Sequence, residues 1–182
     1  MPIIDRRVFV VKEKKASGFF LFEATAYKLR HAPCIWSREH EYTWLQVYER
    51  VCQYGHYFQS LGVESTQHIG VYLYNSPELL FIWLGLLSIG AAPALINYNL
   101  GREALLHCVR LSGTSLLIYD DASDCATRIE AVKSQLRDLH VNAVMLSNDL
   151  KTDIDGFPSS RPWTDCFETA TVVLPFALMY TR

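Results

Sequence analysis

Apolar positions along this chain alternate between helical three-and-four spacing and short continuous runs, and that alternation predicts the elements. Trp44, Val47, Val51, Tyr54, Phe58 and Leu61 recur at three- and four-residue steps and line one helix face. Thr43-x-x-Gln46 supplies a capping box at its start, Tyr42 and Val47 are spaced for a hydrophobic staple, and Gly62 ends it. An earlier helix is predicted over 19–30, ended by His31-Ala32-Pro33 because the residue before proline avoids helical geometry. Residues 34–36 and those around Tyr42 read as a short hairpin.

Beyond Gly62 the apolar runs shorten to strand length. Residues 69–74 predict a strand and 91–96 another, with a helix from Pro77 between them, which makes a βαβ unit and implies parallel pairing. A helix over 102–112 closes at Gly113, and 116–119 is again short and apolar. Ile129, Val132, Leu136 and Leu139 form another helical stripe ahead of a strand at 141–146. Residues 148–162, rich in Asp, Ser, Gly and Pro, read as a connection of the functional or mobile kind. One or two helical turns follow at 163–168, then a strand beginning at 175–180. The fold class is therefore α/β: an open, mostly parallel sheet with helices on both faces.

The uncharged run 79–96 reaches the lower length limit for a membrane span. Its punctuation argues for a buried helix and a strand. Ser76 is placed as N-cap, Pro77 as first helical residue and Glu78 near the positive end of the dipole, while Gly90 stops the helix and Pro93 opposes its continuation.

Composition narrows the function classes. In 182 residues, 17 basic against 19 acidic side chains leave no electrostatic footprint for a phosphate backbone or an anionic membrane surface. Five scattered cysteines without a C-x-x-C pair argue against a disulfide scaffold or zinc module, and the N-terminus lacks the apolar core of a signal peptide. An intracellular, reduced setting is expected.

Generic catalytic motifs fail on inspection. Gly85-x-x-x-x-Gly90 has phosphate-loop glycine spacing, but Ala91 and Ala92 stand where Lys and Ser/Thr must reach phosphate and magnesium, so it reads as packing. Ser88 lacks the glycine at Leu86 that a nucleophile elbow needs and is read as buried, bonded to the preceding turn. Asp153-x-Asp155-Gly156 resembles the middle of an EF-hand, yet the first and twelfth ligands fall on Lys151 and Pro162. His107 and Cys108 are read as a rim histidine and a core thiol. Asp120, Asp121 and Asp124 follow a strand, where α/β sites gather, and are read as turn and cap residues.

The block 69–120 carries a resemblance. NSPE at 75–78, G-A-x-x-A-L-I-N-x-N-L at 90–100 and EALLHC at 103–108 resemble the front part of the adenylate-forming (AMP-binding) superfamily. Within it, they look most like the very-long-chain acyl-CoA synthetase and fatty-acid transport protein group. The likeness runs from about Tyr42 to the C-terminus and weakly back to Phe19. It implies an N-terminal extension at 1–18 and a partial AMP-binding domain at 19–182.

Such enzymes join a carboxylic acid to ATP and pass the acyl group to coenzyme A, so the resemblance implies ATP, Mg and CoA for the full-length protein. The family's phosphate loop, YTSGTTGxPKG, presents backbone amides and hydroxyls to the triphosphate. Here residues 175–181 match its entering strand, and Tyr180 and Thr181 match its first two positions, with Arg182 in place of the first serine. By the resemblance, the rest of that loop, the magnesium carboxylate and the C-terminal domain with its catalytic lysine lie beyond this chain. No catalytic or metal-binding residue is therefore assigned. A truncated, catalytically incompetent chain without cofactors of its own is expected; the alternatives are a functional acyl-CoA ligase or fatty-acid transport component completed by readthrough or a partner, and a non-enzymatic interaction module that pairs with itself or with a full-length homologue. The implied substrate is a fatty or other lipophilic carboxylic acid, and the implied place is cytoplasmic or peripheral to an ER or peroxisomal membrane.

Overall fold

The structure is a computed structural model that describes residues 18–38, 40–165 and 176–180. Helix α1 (Gly18–Lys28) leads into an antiparallel hairpin of β1 (Pro33–Trp36) and β2 (Glu41–Thr43). Helix α2 (Trp44–Ser60) follows at once. Its start is the capping box read from the sequence: the Thr43 hydroxyl accepts from Gln46 N, and the Gln46 side chain accepts from Thr43 N. Val47, Val51, Tyr54 and Phe58 are buried as their spacing requires, whereas Leu61 at the C-cap is exposed.

The main sheet has five parallel strands in the order β6-β5-β3-β4-β7. In chain order these are β3 (His68–Tyr72), β4 (Ala92–Leu95), β5 (Leu116–Asp120), β6 (Asn142–Leu146) and β7 (Leu178–Met179). Helix α3 (Pro77–Ser88) joins β3 to β4, and α4 (Arg102–Ser112) joins β4 to β5. Gly90 and Gly113 take φ of +80° and +62° after these two helices, the left-handed conformation that makes glycine an economical stop. Ser76 has the extended backbone of an N-cap, but its hydroxyl makes no cap bond. No helix among the described residues is long and apolar enough to cross a membrane.

Strand alternation divides the interior into two cores. Ile69, Val71, Leu116 and Ile118 face α1, α2 and α3, while Tyr72 and Leu117 face α4 and the helices after β5. Two helical features depart from the sequence expectation here, and a third does so at 163–165. The stripe 129–139 is broken into α5 (Ser123–Glu130) and α6 (Lys133–Asp138), so Ile129, Val132 and Leu136 are all buried without one continuous helix. The supposed connection at 148–162 begins with a helix, α7 (Asn148–Asp155), because the Ser147 hydroxyl accepts from Leu150 N and Ile154 is buried one turn beyond Leu150.

The rest of that segment is tied down by the polar face of α2. Gln53 donates to Asp155 O (2.8 Å), His56 Nε2 lies 3.0 Å from Ser160 O, and Gln59 donates to Trp163 O (2.8 Å). Arg50 pairs with Asp155, and Arg161 pairs with Glu23 of α1 at 3.1 Å. Residues 163–165 are not helical, and 166–168 lie outside the described residues.

Candidate functional site

Chain direction locates the site. From β3 the chain passes through α3 to β4 on one side, whereas from β5 it passes to β6 on the other. The connections diverge between the carboxyl ends of β3 and β5, the place where open α/β sheets bind ligands. Here side chains of the described residues bond to one another across that crevice. Tyr74, just after β3, donates its hydroxyl to Asp124 Oδ2 (2.6 Å), and its backbone N–H donates to Asp120 Oδ2 (3.3 Å). Arg128 of α5 pairs with the same Asp124 oxygen at 2.9 Å and donates to Tyr98 O at 2.6 Å. The Tyr74 and Tyr98 rings lie 4.2 Å apart, and Tyr72 donates to Leu100 O (2.6 Å).

The network joins the three loops that leave β3, β4 and β5. The hydrogen bond from Tyr74, with Arg128 beside it, holds the Asp124 carboxyl below the usual carboxylate range. The same bond pushes the Tyr74 phenol up to about 12. Asp124 thus has a lower pKa folded than unfolded, so its stabilisation is complete above the unfolded value and disappears as pH falls through the folded one. Urea unfolding between about pH 5 and pH 2 checks this. Asp124→Asn is expected to flatten the acid limb of the stability curve, and an unchanged limb would show that other carboxylates dominate it.

Tyr180 lies on the same carboxyl rim. The pairs Ala94↔Leu178 and Leu95↔Met179 set β7 beside β4, so the chain emerges at Tyr180 one strand away from the β4 loop. The Tyr180 hydroxyl donates to Cys108 O (2.9 Å), and burial pushes its pKa up. Thr181 lies outside the described residues, as does Pro175 at the start of the predicted strand. Asp120 accepts from Tyr74 N and Ala122 N and Asp124 from Tyr74, so both do more than cap a turn. Arg128, Tyr74 and Tyr98 carried no sequence signal. Only the position of Tyr74 directly after an apolar strand could have drawn notice.

The other candidates fall where their chemistry is idle. Ser88 is fully buried and donates to Gly85 O (2.6 Å), as expected of a serine bonded to its own helix. His107 is exposed and Cys108 buried. Burial pushes the thiols of Cys52 and Cys125 up to about 12 and about 11, so neither is a thiolate at neutral pH. Among the described residues no three His, Cys, Asp or Glu side chains form a metal-binding group. A polar recess of about 440 Å³ lies at the outer face of α2, but Gln46, Arg50 and Gln53 in its wall are committed to the cap and to Asp155. The described part of the rim does not by itself fit a triphosphate. It presents Asp120, Asp121 and Asp124 against one guanidinium, Arg128, already paired, and the exposed Arg102.

A doubly wound parallel sheet defines an α/β protein whose ligand crevice lies at the carboxyl rim, and the sequence comparison narrows that class to one family. The AMP-binding enzyme family matches residues 22–181, and the chain belongs to that family. It is 66% identical over 155 residues to isopenicillin N epimerase component 1 of Hapsidospora chrysogena, a match covering 85% of this chain and 25% of that protein. It is 31% identical over 171 residues to long-chain fatty acid transport protein 2 of Rattus norvegicus, covering 88% and 27%. The chain thus spans about a quarter of the length of these curated relatives. Among solved structures, a fatty acyl CoA synthetase of Mycobacterium tuberculosis superposes with a TM-score of 0.82 over 93% of this chain and 33% of that one, at 17% identity. The N-terminal domain of FACL13 from the same organism does so with a TM-score of 0.80 over 91% and 42%, at 18% identity. These likenesses establish the fold.

Proposed function

We propose that this chain is the leading part of an acyl-CoA synthetase-type ligase, with an extension at 1–18, a partial adenylation domain at 19–182, and a triphosphate loop that begins at Tyr180 and Thr181. The observation that carries this reading is the placement of β7. It lies parallel to β4 and delivers Tyr180 to the carboxyl rim, where a loop of amides and hydroxyls can meet phosphate. The whole protein would use ATP, Mg and CoA to activate a fatty or other lipophilic carboxylic acid, inside the cell and at most peripheral to a membrane.

The 182 residues alone are inactive in this reading. Charge developing on transferring phosphoryl and acyl groups needs preorganised donors, and the described rim offers carboxylates instead. Carboxylate-dependent ATP–pyrophosphate exchange by the purified 182-residue chain is expected to stay at the buffer level. Exchange above that level overturns the incompetence. Exchange that appears only after a complementing chain or a full-length homologue is added supports completion by a partner. A coding sequence that continues past Arg182 as SGTTG supports completion in one chain.

The identity to the Hapsidospora chrysogena protein favours a second substrate reading, in which the acid belongs to a specialised pathway ending in epimerisation. Inverting a stereocentre next to a carboxyl group requires loss of its α-proton, which a carboxylate's negative charge opposes. A thioester removes that charge and delocalises the carbanion, so acyl activation is a chemically sensible first half of an epimerase. Exchange by the completed protein with isopenicillin N and not with long-chain fatty acids would support this reading, and the reverse preference would overturn it.

A further inference from the structure

We infer that Trp83 and Tyr180 are positioning residues that clamp β7 from opposite faces of the sheet and so fix where Tyr180 sits on the carboxyl rim. The inference rests on the reading that Tyr180 opens the phosphate loop. Among the described residues, the backbone pairing of β7 is Ala94↔Leu178 and Leu95↔Met179. Side chains supply the rest. Before the strand, the Trp83 indole of α3 donates to Phe176 O at 2.9 Å, and the two rings stand 5.2 Å apart. After it, the Tyr180 hydroxyl donates to Cys108 O of α4 at 2.9 Å.

The two clamps belong to different cores. Trp83 packs with the α1–α3 side and Tyr180 with the α4 side, so each stops the strand from rotating toward the other face. The start of α1 closes the first clamp from behind: a Cβ on Gly18 would lie 2.8 Å from Phe176 Cε2. Strand and clamps share one short rigid path, Phe176 to Tyr180, and loss of either clamp must be felt at the other. A side chain that merely fills space would leave the opposite face undisturbed.

The experiment uses the full 182-residue chain as Trp83→Phe, Tyr180→Phe and the double variant, each of which keeps an aromatic ring in place. Amide hydrogen exchange across 178–180 is expected to quicken about tenfold in each single variant, roughly the loss of one net hydrogen bond, while β3 and β5 amides keep their protection. The Trp83 indole N–H, observed by NMR in Tyr180→Phe, is expected to shift and to exchange several-fold faster although its own partner is untouched. Unchanged exchange at 178–180 in the double variant overturns the clamp. So does an indole N–H unmoved by Tyr180→Phe, or a uniform loss of protection through all five strands. None of these readouts depends on ligase activity, so the clamp fails or stands separately from the ATP–pyrophosphate result.

Discussion

Replacing Gly85 by alanine is expected to destabilise the protein by about 3 kcal/mol and to lower its melting temperature by about 9 °C. Helices α2 and α3 cross where Gly55 and Gly85 face each other. A Cβ on Gly85 would lie 2.8 Å from Tyr54 Cβ, 3.1 Å from Val51 O and 3.2 Å from Gly55 N. Two of those neighbours are backbone and the third is the root of a side chain, so none can step aside without moving a helix. Alanine's better helix propensity returns only about 1 kcal/mol, and the overlap outweighs it. Thermal unfolding monitored by circular dichroism reads the effect, and a melting temperature within about 2 °C of wild type would show that the crossing is looser than its geometry. Gly55→Ala meets Ser88 Oγ and the Pro162 ring and is expected to cost in the same direction.

The second large effect comes from a hydroxyl. Thr114 is buried, accepts from Gly70 N of β3 at 3.0 Å and donates to Leu116 O at 2.6 Å. It joins the middle of β3 to the first residue of the neighbouring β5 at a place where water is excluded. Thr114→Val keeps the shape and adds apolar surface, yet it leaves the Gly70 N–H buried without an acceptor. The expected cost is about 2 kcal/mol, or about 6 °C, because an orphaned buried donor forfeits its full desolvation energy. Thr114→Ser keeps the hydroxyl and loses one methyl group, about 0.8 kcal/mol. Valine must therefore prove worse than serine. The opposite order would mean that hydrophobic packing, not the bridge, matters at this position.

Both predictions concern contacts between elements, and they show where reading the sequence stops. Gly85 and Gly90 have phosphate-loop spacing, which the following alanines contradict; that Gly85 exists to let α3 approach α2 is visible only once Gly55 is found opposite. Helices α2, α3 and α4 were legible nearly to the residue because their signals are local: the Thr43 capping box, Pro77 after Ser76, and the stops at Gly62, Gly90 and Gly113. Helix α7 was missed because Asp, Ser, Gly and Pro across 148–162 made the segment look like a loop, while its support, the Ser147 cap and the burial of Ile154, depends partly on what lies above it. The ordering of 155–163 escaped notice for the same reason: its partners Gln53, His56 and Gln59 are about a hundred positions away.

The candidate site divides along the same line. Tyr180 enters the candidate site as a proposal drawn from the family likeness, whereas Tyr74, Asp124 and Arg128 acquire their joint role only when parallel pairing brings the ends of β3 and β5 together. By itself the sequence determined most of the helices and strands, α7 and the break between α5 and α6 excepted, that the sheet is parallel, and which family the chain resembles, because periodicity, caps and motifs act within a few residues. Strand order, the glycine crossing, the Thr114 bridge, the network across the crevice and the two-sided hold on β7 were decided by the tertiary structure alone. Each depends on groups that meet only after the chain has crossed and recrossed the sheet.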